Sequence, residues 1–375
     1  MSKPRRRSNG LRGRATHDIA RCRARIDRVD GQILALLNRR ARLAQRIGRK
    51  KAQLDATALV PARERRILKS LIATNRGPLS PRAVGGIFRE IISASRALEG
   101  PLSVAYLGPE ATFTETAARA QFGSSATYLG VDSIPDVFSA VEAGGADVGV
   151  VPVENSTEGV VAHTLDMFVE SPLKICVELE LRVEHCLMAR HGSLKGIRRI
   201  VSHPQSLAQC RRWLAANCPG IPTDPAGTNA RAAQVAARDP RTAAVAGATA
   251  AERYGLHVVA RGIQDDPSNI TRFLVLAKND APLPSGSDKT SILMTVRDEV
   301  GILHRMLRPF SVHGINLCSI VSRPLRGKPW EYVFFVDLRR HRREAAVRRA
   351  LADVARHCTT LKVLGSYPTA LSELT

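Results

Sequence analysis

The sequence predicts a multidomain protein, with an all-α N-terminal unit, a larger α/β unit and a small α+β unit at the C-terminus. Three patterns carry this prediction. Apolar residues recur at steps of three and four from Ile19 to Ile47, the period of one helix face. From Leu102 to Asp280 apolar strands alternate with helical stretches, as they do where a parallel sheet is covered by helices. From residue 288 to 368 the order reads strand, helix, strand, strand, helix, strand.

A chain of 375 residues with 44% hydrophobic residues has room for two or three cores. Its seven cysteines are scattered, without a CxxC pair or a His/Cys cluster, so reduced thiols are expected and neither a disulfide framework nor a zinc site is suggested. No apolar run reaches membrane-spanning length, and no apolar segment follows the basic N-terminus. A cytoplasmic protein without a membrane partner is the expectation. The net charge of +22 is unevenly spread: residues 1–99 hold 25 Lys/Arg against 7 Asp/Glu. Such a patch suits nucleic acid, and equally a site for a small dianion. Residues 1–16, with Arg5, Arg6, Arg7, Arg12 and Arg14, read as a disordered basic tail.

The first helix extends to about Lys51 and is too long to be covered by its own short unit, which implies a bundle or an intertwined partner. Two helices follow, opening at Pro61 and at Ser80-Pro81, and Gly100-Pro101 stops the second. Arg40 continues the apolar stripe, and Lys51 lies only ~20° from it around the axis. Arg23 is ~100° off that face and ~25 Å along the helix. If it shares their pocket, it comes from a second chain. Ser95 and Glu99 follow Ile91 on the side marked as buried, and Arg63-Glu64 stands just after Pro61. The plain alternative is a basic surface helix.

Residues 17–100 resemble the all-helical chorismate mutase family in the order Arg23, Arg40, Lys51, Arg63, Glu64, Ser95, Glu99. The resemblance implies an entwined dimer in which the first helix lends its arginine to the partner's site. Arg40, Lys51 and Glu99 would act on chorismate, and Arg23, Arg63, Glu64 and Ser95 would hold it. Val60 stands where an acidic residue is usual and Glu99 where Gln is frequent. An ionised carboxylate only accepts hydrogen bonds, so Glu99 would have to be protonated to donate to the substrate ether oxygen.

In the α/β unit (101–280) the strand Ser103–Leu107 runs into Gly108-Pro109 and a helix that Thr112 or Thr114 can cap. A strand over 146–151 leads into Pro152-Val153-Glu154-Asn155, and Ile197–Val201 leads into Ser202-His203-Pro204-Gln205. Thr228-Asn229 opens a later helix, and Asn269-Ile270-Thr271-Arg272-Phe273 enters a buried strand from a polar turn. Each strand ends in hydroxyl or amide residues at a helix start, where free N–H groups favour a carboxylate. Alone, Asn269–Phe273 could be an ordinary strand entry. Together the segments resemble prephenate dehydratase, which implies two α/β lobes like a periplasmic binding protein, with prephenate in the cleft. Thr271 would be nearest the chemistry, and Asn155, Ser202, Gln205 and Arg272 would position the dianion. His203 reads as structural. The reaction yields an aromatic ring, so no cofactor and no metal is expected.

A linker at 281–288 precedes the last unit, 289–375, whose strands are expected at 290–296, 316–322, 330–338 and 361–367. It resembles the ferredoxin-like ACT domain, with Gly301, Ile302, Leu303 and Ser322, Arg323, Pro324 where relatives bind L-phenylalanine as effector. Val321 replaces a usual Glu, and Ile302 a usual Ala. The resemblances imply a homodimeric or larger enzyme that makes prephenate from chorismate and then phenylpyruvate, without a nucleic-acid partner. The alternatives are a non-catalytic amino-acid sensor that binds nucleic acid through its basic N-terminus, and a dehydratase with a vestigial mutase.

Overall fold

The computed structural model describes residues 7–53, 60–279, 283–297, 299–325 and 331–370. Residues 1–6, Ala281-Pro282 of the expected linker, Trp330 of an expected strand and the last five residues lie outside that description. Helix α1 spans Arg7–Gln53, so the helix is already under way inside the segment read as a disordered tail. At 1.5 Å per residue it is ~70 Å long. Its apolar stripe, Ile19, Ile26, Val29, Ile33, Leu36, Leu43 and Ile47, is 41–63% exposed in the single chain. Helix α2 (Pro61–Thr74) carries its proline at the first turn, and α3 spans Pro81–Glu99. Gly48 of α1 faces the end of α3 so closely that a Cβ there would lie 2.7 Å from Glu99 Cα. Only glycine permits that approach.

The chain divides into two compact bodies, one made of residues 1–58 and 94–101, the other of 59–93 and 102–375. The second body holds three sheets. The first lobe contributes β1 (Ser103–Leu107), α4 (Phe113–Phe122), β2 (Thr127–Val131), α5 (Ile134–Glu142), β3 (Val148–Asn155), β4 (Gly159–Val160), α6 (Ala162–Glu170) and β5 (Lys174–Arg182). Thr112, not Thr114, caps α4 by accepting from Glu115 N–H. The second lobe contains β6 (Cys186–Ala189), β7 (Arg199–Ser202), α7 (Pro204–Gln209), α8 (Arg211–Asn217), β8 (Thr223–Pro225), α9 (Asn229–Arg238), β9 (Thr242–Ala246), α10 (Ala248–Tyr254) and β10 (His257–Ala260). The chain then returns as β11 (Ile270–Ala277) to complete the first sheet, ordered β2-β1-β3-β11-β5 with β4 beside β3. The second sheet is ordered β10-β6-β9-β7-β8.

Neither sheet is purely parallel, as the alternating pattern had suggested. Strand β11 runs antiparallel to both β3 and β5. The register explains why: Thr271, near the start of β11, pairs with Asn155 at the end of β3. The chain re-enters the sheet at the edge where β3 leaves it, so the two strands must run in opposite directions. The crossovers between lobes are bonded to each other, Val183 N–H to Asn269 O and Ile263 N–H to His185 O.

The C-terminal unit is β12 (Asp288–Thr295), α11 (Ile302–Val312), β13 (Leu317–Pro324), β14 (Tyr332–Arg339), α12 (Ala345–Ala355) and β15 (Thr360–Pro368), in the expected order. Its sheet, β13-β14-β12-β15, buries Ile292, Met294 and Val336 against Met306, Phe310 and Val347 of the two helices. The other face, with Leu293, Val333, Phe335, Leu364 and Tyr367, shares one core with Phe138, Phe168 and Ile175 of the first lobe. Gly365 makes this packing possible, because a Cβ there would collide with the Ile175 backbone. Lys362 Nζ donates to the carbonyls of Phe168 (2.9 Å) and Ser171 (2.7 Å) at the end of α6, where exposed carbonyls attract a cation.

Candidate active site

The loop-to-strand entry at Thr271 is held by amides from the end of β3, the returning crossover and the end of α7. Asn155 Nδ2 donates to Thr271 Oγ and to Asn269 Oδ1, each at 2.8 Å. The orientation of that amide is fixed by its other end, since Asn155 Oδ1 accepts from Thr157 N (3.1 Å), Thr157 Oγ (2.6 Å) and Glu158 N (3.1 Å). The buried Asn269 in turn donates Nδ2 to Gln209 Oε1 at 3.0 Å. Gln209 donates Nε2 to Thr157 Oγ (3.1 Å) and Glu158 Oε1 (3.3 Å). Because Oε1 of Gln209 only accepts, its 2.9 Å contact with His185 Nε2 places a proton on that nitrogen. Burial pushes His185 below the usual histidine range, the Gln209 bond opposing this shift. Its ring stands edge-on to Phe113, with centroids 5.5 Å apart, and a neutral imidazole results.

Every bond in this network pairs a donor with an acceptor: His185 and Asn269 both donate to Gln209 Oε1, and Asn155 donates to both Asn269 and Thr271. Thr271 Oγ is occupied as an acceptor, so its hydrogen is the part it offers to a ligand. Gln209 and His185 were missed by the sequence reading. Gln209 lies one helical turn beyond Gln205 and could have been found by extending Ser202–Gln205 along α7 at i+4. His185 stands directly before the apolar strand Cys186–Ala189, which was the available signal.

The other residues expected here are placed as follows. Ser202 is fully buried; its hydroxyl donates to Val245 O (2.6 Å) and lies 3.0 Å from Asn229 Oδ1. His203 caps α7, its Nδ1 accepting from Gln205 N–H, as the structural reading required. Gln205 is half-buried in the first turn of α7. Arg272, expected among the ligands of the dianion, points elsewhere. It binds Glu178 Oε1 through Nε (2.5 Å) and Asp337 through Nη2, with Glu154 3.5 Å from Nη1. Successive strand residues face opposite sides of a sheet, so Thr271 and Arg272 cannot both face the lobe cleft. Burial disfavours the Arg272 charge, but Tyr367, Asp337 and Glu178 more than offset it and the guanidinium is held firmly protonated.

In the helical body, Arg40 Nη1 donates to Ser95 Oγ, and Lys51 Nζ donates to Glu99 Oε2 at 2.8 Å. Residues far apart in sequence thus form two cation–acceptor pairs between α1 and the end of α3. Arg23 is exposed, 17 residues before Arg40 on the same helix. Arg63 and Glu64 stand in the first turn of α2, Arg63 exposed.

In the C-terminal unit Gly301, at φ +76°, precedes α11, which Ile302 opens, and Leu303 is exposed. Ser322, Arg323 and Pro324 end β13, the edge strand. Arg323 Nη2 lies 3.3 Å from Asp166 of α6. Val321 packs against the apolar core shared with the first lobe, a position that suits valine better than the glutamate usual there. Among the described residues no group of His, Cys, Asp and Glu is placed to hold a metal, and no helix is long and apolar enough to cross a membrane.

Three family models match in succession, chorismate mutase type II over residues 22–100, prephenate dehydratase over 104–281 and the ACT domain over 290–356. The bifunctional chorismate mutase/prephenate dehydratase of Aquifex aeolicus is 48% identical over 358 residues, covering 94% of this chain and 99% of the relative. This chain belongs to the bifunctional chorismate mutase/prephenate dehydratases. The Pseudomonas aeruginosa enzyme of the same name is 44% identical over 93% of this chain and 97% of its own. A crystal structure of prephenate dehydratase from Arthrobacter aurescens in complex with L-Phe matches with TM-score 0.67 at 34% identity, covering 73% of this chain and 91% of that one. The helical unit is therefore the mutase domain, the two lobes the dehydratase domain, and the C-terminal unit the ACT domain.

Proposed function

We infer that this enzyme rearranges chorismate to prephenate in its mutase domain and converts prephenate to phenylpyruvate between the dehydratase lobes, under feedback by phenylalanine through the ACT domain. The observation that carries the dehydratase half is the bond from Asn155 to Thr271 Oγ. Prephenate loses its ring carboxylate as CO2; the electron pair of that C–C bond enters the ring and expels the C4 hydroxyl, which leaves as water after gaining a proton. Thr271 donates its hydrogen bond to that hydroxyl as negative charge develops on it, and Asn155 disperses the charge passed back to Oγ. Phenylpyruvate, CO2 and water, with one proton drawn from solvent, account for all atoms and electrons, so no redox partner takes part.

In the mutase half, Arg40 and Lys51 supply positive charge to the substrate carboxylates and to the ether oxygen. Ser95 and Glu99, expected to meet chorismate themselves, instead accept from these two cations, and Lys51 takes over the donation to the ether oxygen expected of Glu99. Arg23 cannot reach Arg40 along a single helix. A second copy of the chain therefore supplies it, and covers the exposed apolar stripe of α1. The enzyme is thus a homodimer or a larger homo-oligomer, and its place is the cytoplasm. The test is direct: purified enzyme given chorismate should accumulate phenylpyruvate through prephenate, and phenylalanine should slow the second step. Prephenate that accumulates without phenylpyruvate refutes the dehydratase assignment, and chorismate left unchanged while added prephenate is consumed refutes the mutase assignment.

A further inference from the structure

Arg272 follows Thr271 directly but belongs to a different set of contacts. Its guanidinium bridges Glu178 of β5 and Asp337 of β14. Glu178, with a side chain 0% exposed, also accepts from Lys289 Nζ of β12 (2.7 Å) and from Ala370 N–H (3.1 Å). Asp337 accepts from Ser291 of β12, and Ser291 shares a 2.6 Å bond with Tyr367 of β15. Three strands of the ACT sheet thus converge on the side chain next to the catalytic hydroxyl. Three carboxylates around Arg272 would repel a dianion, which argues against a direct role with prephenate. The β3–β11 register shifts between Arg272 and Phe273, with Val153 of β3 as the extra residue. Strand β11 keeps unbroken register with β5 from Ile270 to Val275, so a displacement of Arg272 is passed along the backbone to Thr271.

Arg65 of α2, within the same compact body, reaches the same place. It is buried on α2 and donates to Thr369 Oγ at 3.0 Å, just beyond β15. Burial works against its charge, while Asp288 and Glu178 favour it.

We propose that Arg272 is a positioning residue through which the ACT sheet sets the placement of Thr271, with Glu178 and Asp337 as the carboxylates that grip it. The proposal deepens the function inferred above and rests on it. A shift of β14 or β12 relative to β5 either breaks the Arg272 bridge or carries the Arg272 backbone with it, and Thr271 is one residue away. Displacing the Thr271 hydroxyl weakens the hydrogen bond to the leaving group without removing any contact to the substrate carboxylates. The expected signature is a change in kcat and in the response to phenylalanine, with KM preserved.

The experiment uses the full-length enzyme with Arg272→Lys, which keeps the charge but loses the planar fork, and Asp337→Asn, with folding checked by circular dichroism. Ser291→Ala serves as a milder change if either fails to fold. Both main variants should keep KM for prephenate within about twofold, lower kcat by about tenfold and displace the phenylalanine inhibition midpoint by about tenfold. A KM raised more than tenfold with an unchanged phenylalanine response would make Arg272 a substrate ligand and overturn the proposal. Folded variants with wild-type kcat and phenylalanine response would overturn it as well. If wild-type enzyme converts prephenate but ignores phenylalanine, the kcat and KM of the variants decide. Wild-type enzyme that fails to convert prephenate sinks the functional reading, and this proposal with it.

Discussion

Asn155 and Thr271 face each other across the β3–β11 pair, and the amide of the first donates to the hydroxyl oxygen of the second at 2.8 Å. The hydroxyl is thereby given a direction: it accepts from the protein and donates outward. Thr271→Val keeps the shape and removes the donor, and should lower dehydratase kcat by about 10²- to 10⁴-fold. Mutase activity in the same protein should stay near wild type. Asn155→Asp replaces the donor by an acceptor, turns the Thr271 hydrogen inward and should be impaired comparably. Steady-state rates on prephenate check both, and a Thr271→Val enzyme of normal dehydratase activity would remove Thr271 from the chemistry.

His185 should give the dehydratase domain an acid-sensitive step. Burial holds its pKa below the ordinary 6.5. Between 6.5 and the lower folded value, the unfolded chain binds a proton that the folded chain refuses. Stability therefore falls as pH drops through that window and is unaffected by this group above it. Urea midpoints measured from about pH 7 down to about pH 5 should decline in the wild type and decline less in His185→Leu. Equal slopes would mean that burial does not shift His185 from its unfolded value.

Gly365 should tolerate no side chain. A Cβ would strike backbone atoms of Ile175, which cannot swing aside as a flexible side chain would. Gly365→Ala should cost about 1–3 kcal/mol by overpacking and should loosen the join between ACT sheet and dehydratase lobe. The same shared core means that deleting the chain after Pro282 uncovers Phe138, Phe168 and Ile175, so such a truncation should aggregate rather than yield a clean unregulated enzyme. Thermal melts of Gly365→Ala, and light scattering of the truncated protein, test the two statements.

The mutase site should be shared between chains. Arg23→Ala and Arg40→Ala should each abolish most mutase activity. A mixture of the two inactive dimers, after subunit exchange, should recover up to roughly a quarter of wild-type activity, as statistical pairing in a two-site dimer allows. Full exchange proven by mass spectrometry without any recovery would place Arg23 outside the partner's site.

Much of this was legible in the sequence because it is local. Hydrophobic periods give the helices at Pro61 and Pro81 and the βαββαβ order of the ACT domain. Strand ends with hydroxyl and amide residues mark Asn155, Ser202 and Thr271, since a strand must deliver such groups at a loop edge. The motif Asn269–Phe273 even gave the start of β11 to within a residue of the observed Ile270. Chemistry that depends on which face is covered, and by what, was not written there. Alternation along β11 sends Thr271 and Arg272 to opposite sides, but only the docking of the ACT sheet decides that the second side holds Asp337 and Lys289. Likewise Gln209 and His185 join the site because the two crossovers, 76 residues or more apart in sequence, are bonded side by side through Val183–Asn269 and Ile263–His185. A sequence specifies which groups can donate and accept; the pairing of distant strands selects which of them meet, because a hydrogen bond exists only within about 3.5 Å.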